Sequence, residues 1–408
     1  MDDSEGNVAE KNLYPFDDIG SQFAYNNFTD KVIQPINEMC FITHDGKLQR
    51  PYRIFNRSFE GNPQHPYFRI MDYSNSLLTA WRSQNSKEPI ELELLKLSDM
   101  SHNNVTRIQG SGNIDSLILN KTEKLLAMVY CEEDWRVDIR RLSNFQLREV
   151  VPHTTPIIGV FFYNDILFSL SNQLIASYPE ERHENCLISS SEKVLGWAQH
   201  PTGPYLVLIE PECYKIIDLN TLKLVKTAEW VEQMKWFYIL QKFSNHSFEP
   251  YIDKNTAKFS TDGNRLFLGG YGQLAALDWY NMLRPRCTLL EPAKMIDIRS
   301  SRGSGSQRES FDAHIIDMIP INRDKLLCAT TNGYLCMVNI RTEEVFLLLT
   351  PGAKIRVNSL QLCANGKYLA MRGYHYGFDD SDSSKAESAL LIWKLSQLLR
   401  KKRLLCRL

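Results

Sequence analysis

From about residue 31 onward the chain repeats one pattern: a short apolar run, a polar turn, a run of near-continuous aliphatics, a small turn and a third apolar run. The clearest copy runs from Thr256 to Trp279. Ser260 to Asn264 reads as a tight turn, because Asp262-Gly263 supplies the positive φ that a short hairpin requires. Arg265 to Gly270 then reads as a strand buried on both faces, with Gln273 to Trp279 as its neighbour. Comparable units begin near residues 67, 115, 157, 194, 315 and 357, several turning on pairs such as Asn332-Gly333 or Asn365-Gly366. Seven units about 48 residues apart match the roughly 40–50 residues of a four-stranded propeller blade.

The spacing therefore predicts an all-β fold, a single seven-bladed β-propeller of four-stranded antiparallel blades over residues 31–395. It is preceded by an acidic, aromatic-bearing tail over 1–30 and followed by a basic segment, 396–408, that reads as a short helix. Each small sheet has two apolar faces and exposed edges, so it is marginal alone and gains stability from radial stacking and ring closure. Either Met39–Ile42 or Tyr52–Phe55 can supply the outer strand that completes the last blade. Residues 230–250 fit no repeat and read as an insertion or an extended outer strand. Residues 299–310 and 377–388 read as surface loops.

The phrase Phe259-Ser260-Thr261-Asp262-Gly263, closing on Leu277-Asp278-Trp279, resembles a WD40 repeat with its last dipeptide permuted. Leu391-Ile392-Trp393-Lys394-Leu395 resembles the third strand of the same family. No Gly-His precedes a repeat and no Trp-Asp ends one, so the family's Asp-His-Ser/Thr-Trp hydrogen-bond network is not expected. Packing between blades is left to carry most of the stability. The resemblance implies a scaffold that binds other proteins of a multiprotein complex.

Charge and chemistry narrow this picture. Lys and Arg number 47 against 48 Asp and Glu, a net charge of −1, which gives no whole-chain attraction for nucleic acid or an anionic membrane. No apolar run is long enough for a membrane span, and the acidic start Met1-Asp2-Asp3 is unlike a presequence, so the expected location is intracellular, cytoplasmic or nuclear. The nine cysteines follow no zinc spacing and read as buried thiols. Five N-x-[ST] sequons read as chance matches. Nine histidines occur singly, and no nucleophile, phosphate-loop, dinucleotide or metalloprotease motif is present. No catalysis, metal or cofactor is expected.

Three features carry candidate binding residues. Asp138-Ile139-Arg140 and Asn339-Ile340-Arg341 resemble the Trp-Asp-x-Arg signature of propeller substrate receptors for cullin-type ubiquitin ligases. There an exposed arginine contacts an adaptor carboxylate; otherwise the Asp or Asn simply opens a turn while Arg stays in solvent. Arg372, Tyr374 and Tyr376 lie in an expected loop of the last blade and are of hot-spot type, and an ordinary insertion is the other reading. Arg400, Lys401, Lys402 and Arg403 offer a nuclear-import signal, a peripheral membrane contact or a partner contact, or else solvated charge on a packed helix. A phosphoinositide-binding propeller is the weakest alternative: Arg140-Arg141 lacks the flanking residues of that family's paired-arginine motif.

Overall fold

The computed structural model describes most of residues 62–399 together with four short strands before them. Residues 1–40, 232–256, 298–314, 376–386 and 400–408 are the longest stretches outside the description. The described chain forms seven antiparallel blades in a ring. Blade 1 holds Asn62–Met71, Ser76–Ser83, Ile90–Lys96 and His102–Ile108. Blade 2 holds Asn113–Leu119, Leu125–Cys131, Arg136–Arg141 and Leu147–Pro152. Blade 3 holds Gly159–Tyr163, Ile166–Leu170, Gln173–Ser177 and Glu184–Leu187. Blade 4 holds Gly196–Gln199, Tyr205–Ile209, Cys213–Asp218 and Lys223–Trp230. Blade 5 holds Ala257–Phe259, Arg265–Gly269, Gln273–Asp278 and Lys294–Asp297. Blade 6 holds Ile315–Pro320, Lys325–Thr330, Leu335–Asn339 and Glu344–Pro351.

Blade 7 has only three strands from its own stretch of chain, Ile355–Leu362, Tyr368–His375 and Glu387–Lys394. Its fourth is Arg53–Phe55, which pairs antiparallel with Leu390–Ile392. Of the two segments expected to complete the last blade, the later one does so. The earlier one lands a blade away: Phe41–Ile42 adds to the outer strand of blade 6 at Thr350–Pro351 and carries Leu48–Gln49 beyond it. The four short strands between Phe41 and Phe59 thus join three consecutive blades, because Ser58–Phe59 pairs with Asn62–Pro63 at the start of blade 1.

The packing explains the pattern of apolar runs. Second and third strands, such as Tyr205–Ile209 and Leu335–Asn339, are buried along nearly their whole length, whereas the fourth strand Leu147–Pro152 is mostly exposed. Alternate side chains on one strand point to the two neighbouring blades. Leu206 and Leu208 pack against blade 3, while Val207 and Ile209 pack against blade 5. The buried side chains accordingly fall into seven clusters, and each one bridges two adjacent blades all the way round, blade 7 to blade 1 included. A blade removed from the ring would expose both faces at about 25 cal/mol per Å² of apolar surface.

Polar bridges reinforce every junction. In blades 7 and 1, Gln361 acts like a strand residue: its Oε1 accepts from Ile70 N at 2.8 Å and its Nε2 donates to Ile70 O at 3.3 Å. Asp317 of blade 6 accepts from Leu360 N of blade 7 at 2.8 Å, and Arg265 of blade 5 pairs with Asp324 of blade 6 at 2.7 Å. Trp197 Nε1 and Gln199 Nε2 donate to Ile158 O and Phe162 O between blades 3 and 4. Asn120 Nδ2 donates to Asp165 between blades 2 and 3, and Ser74 N donates to Glu123 between blades 1 and 2. Gly159 is the closest approach, since a Cβ there would sit 2.1 Å from the Trp197 indole nitrogen.

Candidate interaction surface

In an antiparallel four-stranded blade the turns after the first and third strands share one end of the ring. On that end the third strands of three blades finish on a residue that organises the following turn. Asp218 accepts from Asn220 N and Thr221 N, Asp278 accepts from Asn281 N, and Asn339 accepts from Arg341 N and Thr342 N. These residues act as Asx caps. Arg341 follows Asn339 and is exposed.

Arg140 is different, and the expectation of an exposed arginine fails there. Strand periodicity places Arg136, Asp138 and Arg140 on one face of Arg136–Arg141, opposite Tyr130, Met128 and Leu126, which pack toward blade 1. Arg140 is 8% exposed. Its guanidinium donates to Asp138 Oδ2 at 3.0 Å and to the Phe145 carbonyl at 3.1 Å, stapling the turn that follows. Arg136 donates to the other oxygen of Asp138 at 3.2 Å and lies 4.2 Å from the centre of the Tyr130 ring. Burial, with Asp138 nearby, raises the Tyr130 hydroxyl above its usual pKa despite these cations. Arg140 and Arg341 are therefore not equivalent: one holds the blade together and the other faces solvent.

Arg372 is also displaced from its expected loop, because the second strand of blade 7 runs on to His375. It is half-buried, with its guanidinium 4.3 Å from the centre of the Tyr67 ring of blade 1. Tyr374 lies in the same strand, opposite Arg356 and Ser388. Tyr376, Arg400, Lys401, Lys402 and Arg403 lie outside the described residues. A short helix runs over Leu395–Leu399, at the start of the segment 396–408 read as a short helix; residues 400–408 lie outside the described residues. Leu395 is buried and Leu398 packs against the cluster joining blades 6 and 7, so this helix belongs to the last blade.

Among the described residues the most exposed large apolar side chains are Tyr280, on a short helix of blade 5, and Leu224 and Val225, in the outer strand of blade 4; hydrophobic pattern singles out none of them. Pairing in that outer strand jumps from Ile216↔Lys226 to Ile217↔Leu224, leaving Val225 as an extra residue. This bulge turns consecutive residues outward, and Leu224 and Val225 are 56% and 51% exposed. A short helix, Trp279–Leu283, follows the third strand of blade 5 and is bonded to blade 4. Lys226 Nζ donates to the carbonyls of Met282 and Arg284 at 2.8 and 2.6 Å, and Tyr214 donates its hydroxyl proton to Met282 O. Tyr280 on that helix is 67% exposed, with the Arg284 guanidinium 4.7 Å from its ring centre. Farther along the same outer strand, Leu289–Leu290 pairs in parallel with Glu229–Trp230, so this edge already accepts a fifth strand. Single sequence periodicity cannot find such exposure, because Leu224-Val225 reads like any buried aliphatic pair until the outermost strand is known.

Two histidines sit at other junctions. His153, after the outer strand of blade 2, lies 2.9 Å from Ser169 Oγ and 3.1 Å from Ser171 Oγ of blade 3, a partial counterpart of the network not expected from the motifs. His200, between blades 4 and 5, packs against Phe259, Trp279 and Tyr205. Burial lowers the pKa of both, opposed at His200 by its bond to Gly263 O. Of the described cysteines, Cys213, Cys328, Cys336 and Cys363 are buried and Cys131 is half-buried; Cys213 Sγ donates to Glu210 Oε2 at 3.2 Å, and burial pushes the Cys336 thiol up to about 12. Among the described residues no cluster of side chains has metal-ligand geometry, and no helix is long and apolar enough to cross a membrane.

The ring and its closure define a seven-bladed β-propeller. No protein-family model and no curated protein matches the chain. Among solved structures it is similar to the β-propeller domain of Cps50 (Swd1) from Myceliophteria thermophila. The TM-score is 0.59 at 12% identity, over 85% of this chain and 99% of that one. At that identity the likeness establishes the fold alone, and one such fold hosts many functions.

Proposed function

We propose that this chain is a WD40-type propeller that serves as a non-catalytic scaffold, holding partner proteins together within a multiprotein complex in the cytoplasm or nucleus. The observation that carries the reading is the outer edge of blades 4 and 5, where Leu224 and Val225 stand exposed on the bulged outer strand of blade 4, and Tyr280 with Arg284 on the blade 5 helix that Lys226 ties to that strand. Exposed aliphatic, tyrosine and arginine side chains are of the types found at the cores of interfaces. A scaffold works by raising the effective concentration of the partners it holds, and a rigid ring with several outer edges suits that task. The ligase-receptor reading retains Arg341 alone, because the Arg140 guanidinium is engaged within blade 2.

Affinity purification of the tagged full chain tests this directly. At least one protein should co-purify with the wild type and be lost from Leu224→Asp and Tyr280→Ala, with unchanged thermal unfolding. Equal recovery of every partner by both variants would remove the edge of blades 4 and 5 as the binding surface. A wild-type chain that recovers no partner would contradict the scaffold reading itself.

A further inference from the structure

His200 is held by bonds of fixed polarity. Its Nδ1 faces two backbone donors, Gly203 N at 2.9 Å and Thr202 N at 3.3 Å. Its Nε2 lies 3.2 Å from the Gly263 carbonyl of blade 5, which can only accept. Only the neutral imidazole with its proton on Nε2 satisfies all three groups. The ring is also enclosed: its centre is 5.0 Å from those of Phe259 and Trp279, and Gly263 approaches so closely that a Cβ there would meet the ring at 2.6 Å.

We propose that His200 makes the junction between blades 4 and 5 acid-labile. A proton taken up from solvent at Nδ1 sets an N–H against two backbone N–H groups and leaves the added charge buried without an acceptor. The turn Pro201–Pro204 then releases the ring, and the bond to blade 5 is lost with it. The charged groups nearby are committed elsewhere. Asp262, next to Gly263, accepts from Ser260 Oγ and Asn264 and lies 3.9 Å from Arg323. Burial raises the Asp262 carboxyl, but these partners outweigh it and hold it below its usual value. Asp278, before Trp279, caps the short helix through Asn281 N. Lys258 precedes Phe259 in a strand whose alternate side chains Ala257 and Phe259 face this junction, so it points to the opposite face. Tyr205 contributes a ring edge. No carboxylate is left to receive an imidazolium.

His153 supplies an internal control. Its neighbours are serine hydroxyls, which can rotate to accept from a charged ring as readily as they donate to a neutral one. Its protonation therefore leaves the blade 2–3 junction bonded.

Histidine-selective NMR with hydrogen exchange on the full chain tests the proposal. At about pH 7.5 the His200 ring should be the Nε2–H tautomer. On acidification the amides of Thr202 and Gly203 should lose protection, corrected for intrinsic exchange, by up to about tenfold per pH unit, the limit for one proton. The loss should follow the ring's own titration, and amides at the blade 7–1 junction should not show it. His200→Gln should abolish the response and His153→Gln should leave it intact. An Nδ1–H tautomer, or amides that stay protected while the ring titrates, would overturn the proposal in the wild type alone, whether or not either variant folds.

Discussion

The junction between blades 4 and 5 and the junction between blades 7 and 1 close the same ring by different means. The first joins blades that follow each other in the chain. It buries one broad apolar cluster, at which His200, Tyr205, Phe259 and Trp279 pack edge-on or tilted against one another. The second joins segments almost 300 positions apart, and its apolar cluster is smaller. It relies on a side-chain amide that imitates backbone pairing, on Arg372 over Tyr67, and on the N-terminal strand that completes blade 7. A junction between successive blades can depend on side-chain shape. The closing junction instead needs directional hydrogen bonds that fix register between remote segments.

That difference can be broken most severely at the closing strand. Removing residues 1–56 strips blade 7 of its outer strand and blade 6 of its added hairpin. It should cost more stability than any single substitution below and broaden the unfolding transition followed by circular dichroism. A truncation that melts like the full chain would show that these strands are dispensable. Next in size, Trp279→Ala should destabilise the chain by about 3–5 kcal/mol in urea, the usual cost of emptying a buried aromatic site. The loss should be accompanied by faster exchange in blades 4 and 5. The smallest effect is expected at Gln361→Ala, which leaves the N–H and C=O of Ile70 unpaired at a cost of about 1–3 kcal/mol. Its exchange signature should fall on blades 7 and 1 and spare blade 4. If both substitutions loosened the same region, the two junctions would not be separate in the way described.

Much of the architecture can be read from the chain because each blade carries its own punctuation. Gly263, Gly333 and Gly366 all adopt positive φ in the turns where Asp-Gly or Asn-Gly marks them, and strands begin within a few residues of the expected starts. The two candidate closing segments were also visible, but their assignment to blades was not. Three residues such as Arg53–Phe55 carry no signal of which edge they will meet. The candidate site was less legible. Arg140 lies on a strand whose inward face is set by a neighbouring blade, so its burial follows from tertiary packing. The exposure of Leu224 and Val225 follows from a bulge and from their place in an outermost strand. Neither is written in local hydrophobic pattern.

Closure of the ring rests above all on Arg53–Phe55, and hydrogen exchange on the intact chain reports on it without any substitution. Peptides containing Arg53–Phe55 and Leu390–Ile392 should be protected together and open together, as paired strands of one blade do. Exchange of Arg53–Phe55 at the rate of an unstructured peptide, with Leu390–Ile392 still protected, would contradict it.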